Sequence, residues 1–87
     1  MNAKLRQAIT TPMRTILAVR ACFDLCTTPD DIRAVIRKIP PKFGEFEILL
    51  ISEAEGYFTI QNIFMKNGDQ QSQIVSYDFY NLEEEAF

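Results

Sequence analysis

Two cysteines one helical turn apart, Cys22 and Cys26, come nearest in type and spacing to reactive chemistry. On a helix a C-x-x-x-C pair puts both thiols on one face, which is half of a zinc site. Two further ligands are needed, and the 87-residue chain contains no His to supply them. Asp and Glu alone would complete an unusual site, and a disulfide inside one helical turn would be strained. The expectation is therefore two reduced, metal-free thiols buried as small hydrophobes. The lack of His also removes the commonest general base. Glu45 with Glu47, and Glu53 with Glu55, are paired carboxylates, but they fall on strand margins or turns, where charge discourages aggregation. Gly44, Gly56 and Gly68 all have turn readings, so no glycine-rich phosphate loop is present. These features point away from an enzyme and imply no cofactor.

The elements that must position any surface are clearer. Residues 57–80 are two strand-like runs joined at Asn67-Gly68, the strongest short-range sign of a two-residue hairpin, because a type I′ turn needs φ > 0 twice. Lys66 then faces Asp69, Phe64 faces Gln71, Ile60 faces Val75 and Phe58 faces Tyr77. With period 2, that register gathers Phe58, Ile60, Phe64, Val75, Tyr77 and Phe79 on one face.

Upstream, residues 2–9 read as a short helix. Thr10-Thr11-Pro12 and Thr27-Thr28-Pro29 each place a Thr where an N-cap belongs and a Pro at the first helical position. They predict helices over about 12–26 and 29–38, with one helix kinked at Pro12 over about 3–26 as the alternative. The first carries Ile16, Val19, Phe23 and both cysteines on one broad side. The second carries Ile32, Val35, Ile36 and Ile39, with Asp30 and Asp31 at its positive end and Arg37 and Lys38 at its negative end. Pro40-Pro41 stops it.

Residues 45–52, EFEILLIS, read as a third strand. A three-residue loop with Gly56 in the left-handed region aligns Phe46, Ile48 and Leu50 with Phe64, Asn62 and Ile60, an apolar face broken only by Asn62. The fold class is α+β: two or three N-terminal helices packed on a three-stranded antiparallel meander. The organisation is a single domain over 1–87, with a helical half at about 2–39, the meander at about 45–80 and an acidic tail at 81–87. The core is predicted to include Ile16, Phe23, Ile32, Val35, Ile36, Phe46, Ile48, Leu50, Phe58, Ile60, Phe64, Val75, Tyr77 and Phe79.

The second face of this sheet is the best functional clue. It is predicted to carry Leu49, Ile51, Tyr57, Ile63, Met65, Ile74 and Tyr80, with Glu47 and Asp78 at its margins. A solvated sheet face is mostly polar, so this one calls for a cover: a second copy in a homodimer, a protein partner, or one of the chain's own helices. The leading reading is a small protein-interaction module, a regulator, adaptor or inhibitor. Charge supplies the alternative. Residues 1–43 hold eight Lys/Arg against three Asp (+5), and residues 44–87 one Lys against nine acids (−8), which sum to the net −3. A basic helical half admits nucleic acid through Arg14, Arg33, Arg37, Lys38 and Lys42, although the two halves can also neutralise each other. The chain has no apolar run long enough for a membrane span and shows no secretory signal, so the expected location is the cytoplasm. The tail's Phe87 is a possible anchor for a partner, or frays.

Overall fold

Asn67 and Gly68 both take positive φ, 53° and 82°, and the hairpin they close has the register expected from the sequence, from Lys66↔Asp69 through to Tyr57↔Asp78. In the computed structural model, which describes residues 1–80, the order is α1 (Ala3–Thr10), α2 (Ile16–Asp24), α3 (Pro29–Lys38), a 3-10 turn (Pro41–Phe43), β1 (Glu45–Ser52), β2 (Tyr57–Lys66) and β3 (Asp69–Asp78). The strands form one antiparallel sheet in the order β1-β2-β3. Three helices followed by a meander is the α+β layout read from the sequence. The tail over 81–87, for which Phe87 was the expected anchor, lies outside the described residues.

Only one of the two Thr-Thr-Pro signals starts a helix. Thr28 caps α3 with Pro29 at its first turn, and Asp31 closes a reciprocal capping box. At the other, Thr11 ends α1, and the hydroxyls of Thr10 and Thr11 donate to the Gln7 carbonyl. The chain then runs through Pro12, buries Met13, and restarts at Thr15, whose Oγ1 accepts from the Ala18 amide at 3.1 Å. The difference lies three residues past each Thr. Asp31 can accept from the cap's amide, whereas Arg14 cannot and would sit at the positive end of a helix dipole. α1 and α2 are accordingly two helices. Asn2 ties the first to the second: its Oδ1 accepts from Leu5 and its Nδ2 donates to the Leu25 carbonyl, both at 2.8 Å.

Asp31 is buried, and its Oδ2 accepts from the Thr27 amide (2.9 Å), the Thr27 hydroxyl (2.9 Å) and the Thr28 amide (3.2 Å). Burial by itself would raise this carboxyl, but the hydrogen bonds outweigh it and hold the pKa below the usual value. A depressed folded-state pKa contributes stability above the unfolded value, about 3.9 for Asp, and that stability is lost as pH falls through the folded pKa. Asp31→Ala is expected to cost about 1.5–3 kcal/mol at neutral pH. The cost should shrink in acid, as followed by urea denaturation at several pH values. An unchanged cost at pH 2 would contradict this account.

β1 departs from the expected three-residue loop and from the register that paired Phe46 with Phe64. Its turn is a four-residue loop, Glu53 to Gly56, in which the Gly56 amide donates to Ser52 O at 2.8 Å. That loop pairs Ser52 with Tyr57, Ile51 with Phe58 and Leu50 with Thr59. Continued unbroken, this register would turn Glu47 and Glu45 into the core. A bulge between Ile48 and Leu50 inserts one residue and restores the facing, so Ile48 pairs with Ile60 and Phe46 with Asn62. Leu50, predicted in the core, therefore lies on the outer face, and Ile51, predicted outside, packs against the core.

All three helices contribute to a core on the same side of the sheet. Phe23 of α2 is fully buried against Phe46, Phe58 and Tyr77, with ring centroids 6.0, 6.3 and 5.3 Å away. Leu5, Met13, Val19, Cys22, Cys26, Ile32, Val35, Ile60 and Phe79 complete the buried cluster, and Ile16, Ile36, Ile48 and Val75 are partly buried against it. Phe64 is outside that cluster, contrary to expectation. It sits three residues before the hairpin turn, half-buried beside a surface depression lined by Ile16, Phe43 and Asn62.

Candidate functional site

The outer face of the sheet is built from alternate residues on each strand. β2 presents Tyr57, Thr59, Gln61, Ile63 and Met65, and β3 presents Gln70, Ser72, Ile74, Ser76 and Asp78. β1 adds Glu45 and Glu47, then the two leucines that the bulge leaves together, each 46 % exposed. Met65 and Ile74 are 65 % and 59 % exposed. Across the middle, the Thr59 and Ser76 hydroxyls hydrogen-bond at 3.0 Å. Among the described residues no helix packs on this side.

Of the seven residues predicted for this face, the structure brings together Leu49, Tyr57, Ile63, Met65 and Ile74. Ile51 turns inward because of the bulge. Tyr80 is not on the face either: β3 ends at Asp78, the Tyr80 amide donates to the Cys26 carbonyl at 2.7 Å, and Lys4 Nζ lies 5.5 Å from its ring centroid. Leu50 replaces them. The alternation of β1 concealed it, because four consecutive apolar residues (Ile48 to Ile51) carry no parity of their own.

The charges on the face are all of one sign. Glu45, Glu47 and Asp78 stand on it with no Lys or Arg. Near Asp78, burial and then the Asp78 carboxylate itself raise the carboxyl of Asp24. At the opposite end, an open depression of about 480 Å³ runs from Ile63 and Met65 round to Pro41, Lys42 and Gly44. The apolar band thus ends in a concave rim rather than a flat edge.

The basic residues are dispersed by comparison. Arg33 and Arg37 lie one turn apart on the exposed side of α3, Arg33 is paired with Asp30 at 3.0 Å, and Lys38 follows at the helix end. Lys42 stands over the Phe43 ring at 5.1 Å, and Arg14 is in the segment between α1 and α2. The thiols are buried, and Cys26 Sγ donates to the Cys22 carbonyl at 3.6 Å. Burial raises Cys22, and burial first, then Asp31, Cys22 and Asp24, pushes Cys26 up to about 12. Neither is a thiolate nucleophile at neutral pH. No helix among the described residues is long and apolar enough to cross a membrane.

No protein-family model, curated protein or solved structure matches the chain.

Proposed function

We propose that the chain is a small protein-interaction module whose outer sheet face receives an amphipathic element of a partner, apolar along its centre and basic along its rim. The observation that carries this reading is the outer band of exposed Leu49, Leu50, Met65 and Ile74 with half-buried Tyr57 and Ile63 between them. A patch of that kind, bordered by polar groups, is typical of binding sites. Charge selects the occupant. Glu45, Glu47 and Asp78 complement Lys and Arg, whereas a second copy stacked face to face would bring both sets of carboxylates into one interface without a counter-charge. The concave end beside Met65 offers a seat for an anchoring side chain.

The test uses a synthetic helix with a Leu stripe bordered by Lys, and a control with the same stripe bordered by Glu. The Lys-bordered peptide is expected to shift the NMR signals of Tyr57, Ile63, Met65 and Ile74. Leu49→Lys combined with Ile63→Lys should weaken it by about tenfold or more, the size of effect that a hot-spot loss gives. Circular dichroism should be unchanged, because both substituted side chains lie on the outer face and neither belongs to the core cluster. Equal binding of the Glu-bordered peptide, shifts confined to α3, or unfolding of the double variant would each overturn the reading.

A further inference from the structure

β3 is an edge of the sheet, and its backbone is only half used. The two-residue loop makes Lys66 and Asp69 the closing hydrogen-bonded pair, so Gln71, Gln73, Val75 and Tyr77 turn their amides and carbonyls to β2. Phe79, next in that series, donates to Gly56 O at 2.9 Å. The groups of Gln70, Ser72, Ile74, Ser76 and Asp78 point the other way, and among the described residues none makes a backbone hydrogen bond elsewhere.

Edges are normally blunted by bulges, Pro, Lys or inward charge. β1 has its bulge and two glutamates. β3 has none of these devices: its register is uninterrupted, and its only charges are Asp69 and Asp78 at the two ends. α2 lies over this strand, held by the Arg20 guanidinium donating to Gln73 Oε1 at 2.8 Å. On the same stripe of α2, Leu17 is 70 % exposed, the most exposed large apolar side chain among the described residues, and Ala21 is exposed beside it.

We infer that β3 pairs antiparallel with the β3 of a second copy, across a two-fold axis normal to the sheet, to give a continuous six-stranded sheet. With Ile74 on the axis, Ser72 faces Ser76 of the copy and Gln70 faces Asp78 on the outer side, while Gln73 faces Val75 and Gln71 faces Tyr77 on the helix side. Within the strand pair no two like charges meet. The outward groups form about ten hydrogen bonds between the chains. The same axis brings the two α2 helices alongside one another, so Leu17 of each faces the other helix. This is what selects a second copy over an extended peptide from another protein, which would satisfy the strand but leave Leu17 in water. The two outer faces become one broader surface, and the pairing does not depend on what that surface binds.

The experiment is light scattering with amide hydrogen exchange. The wild type is expected at twice the 10.0 kDa chain mass, with the outward amides of Ser72, Ile74 and Ser76 exchanging as slowly as the inward ones of Gln73 and Val75. Ser72→Pro removes an outward N–H and leaves the β2 ladder intact, so it should give a folded single chain in which the remaining outward amides, Ile74 and Ser76, exchange freely. Leu17→Glu should weaken the pair without abolishing the fold. A monomeric wild type would overturn the inference, as would a dimer whose outward amides exchange fast. A dimer that survives Ser72→Pro but is lost in the Leu49→Lys, Ile63→Lys variant would place the contact on the outer face instead. If Ser72→Pro fails to fold, slow against fast exchange of the outward amides in the wild type decides the matter alone.

Discussion

Gly44→Ala is expected to remove a large part of the protein's stability, about 3 kcal/mol or more, out of the roughly 5–15 kcal/mol available to a small domain. Gly44 has φ 92° and ψ −162°, a region essentially closed to residues with a side chain. A Cβ there would meet the Ile63 carbonyl oxygen and stand 2.9 Å from Phe64 Cβ. The neighbouring chain cannot give way, because Asn62 Nδ2 donates to the carbonyls on both sides of it, Phe43 O at 3.0 Å and Glu45 O at 3.1 Å. Backbone is clamped to backbone at the point where the helical half hands over to the sheet. Thermal denaturation should show a fall in midpoint of about 15 °C or more. Gly68→Ala is the comparison. That glycine also has positive φ, but nothing lies within 4 Å of the added Cβ, and about 1–2 kcal/mol is expected. Equal losses at the two sites would mean that the clamp around Gly44 has no energetic weight.

The legible parts of the fold were those whose signal is local. Asn67-Gly68 states its own turn, and the alternation of Tyr57 to Met65 with Ile74 to Asp78 then assigns both faces of the hairpin. The Thr28 to Asp31 box is equally local. What the sequence concealed needs a second element to be seen. The bulge at Leu49-Leu50 follows from a conflict between the four-residue loop and the need to keep Glu45 and Glu47 in water, and neither is visible inside an apolar run. Asn62 stood out as the one polar residue on a core face, but its role as the clamp on Gly44 depends on a segment near twenty positions away. Tyr80 was assigned by extending the alternation of β3 two residues too far. Its amide is instead taken by Cys26 of the helical half. The outer face was therefore legible on β2 and β3, where pairing is uninterrupted, and misread on β1 and at the chain's return to the helices.

Phe23→Ala is the second large effect expected, about 3–5 kcal/mol. Phe23 is one of the largest fully buried side chains, and it is the residue through which α2 grips the sheet, touching Phe46 on β1, Phe58 on β2 and Tyr77 on β3. Phe58 in turn stacks on Tyr77 at 5.4 Å and tilts against Phe79 at 5.1 Å. Truncation at the centre of this group leaves a cavity whose walls belong to three different strands. They cannot all move inward together, so little of the lost contact is recovered. Phe64, placed in the same core by the sequence, is a sharp control. It is half-buried near the hairpin turn, outside the core cluster, and Phe64→Ala should cost about 1 kcal/mol, the size of a typical point substitution. Urea denaturation of the two variants separates the cases. A loss below about 1 kcal/mol for Phe23→Ala, outside the range of buried Phe truncations, would mean that the sheet keeps its order without α2. The near-ultraviolet circular dichroism of Tyr77 would then be unchanged as well. The expected result is its collapse, because the ring's fixed surroundings are made by Phe23 and Phe58 together.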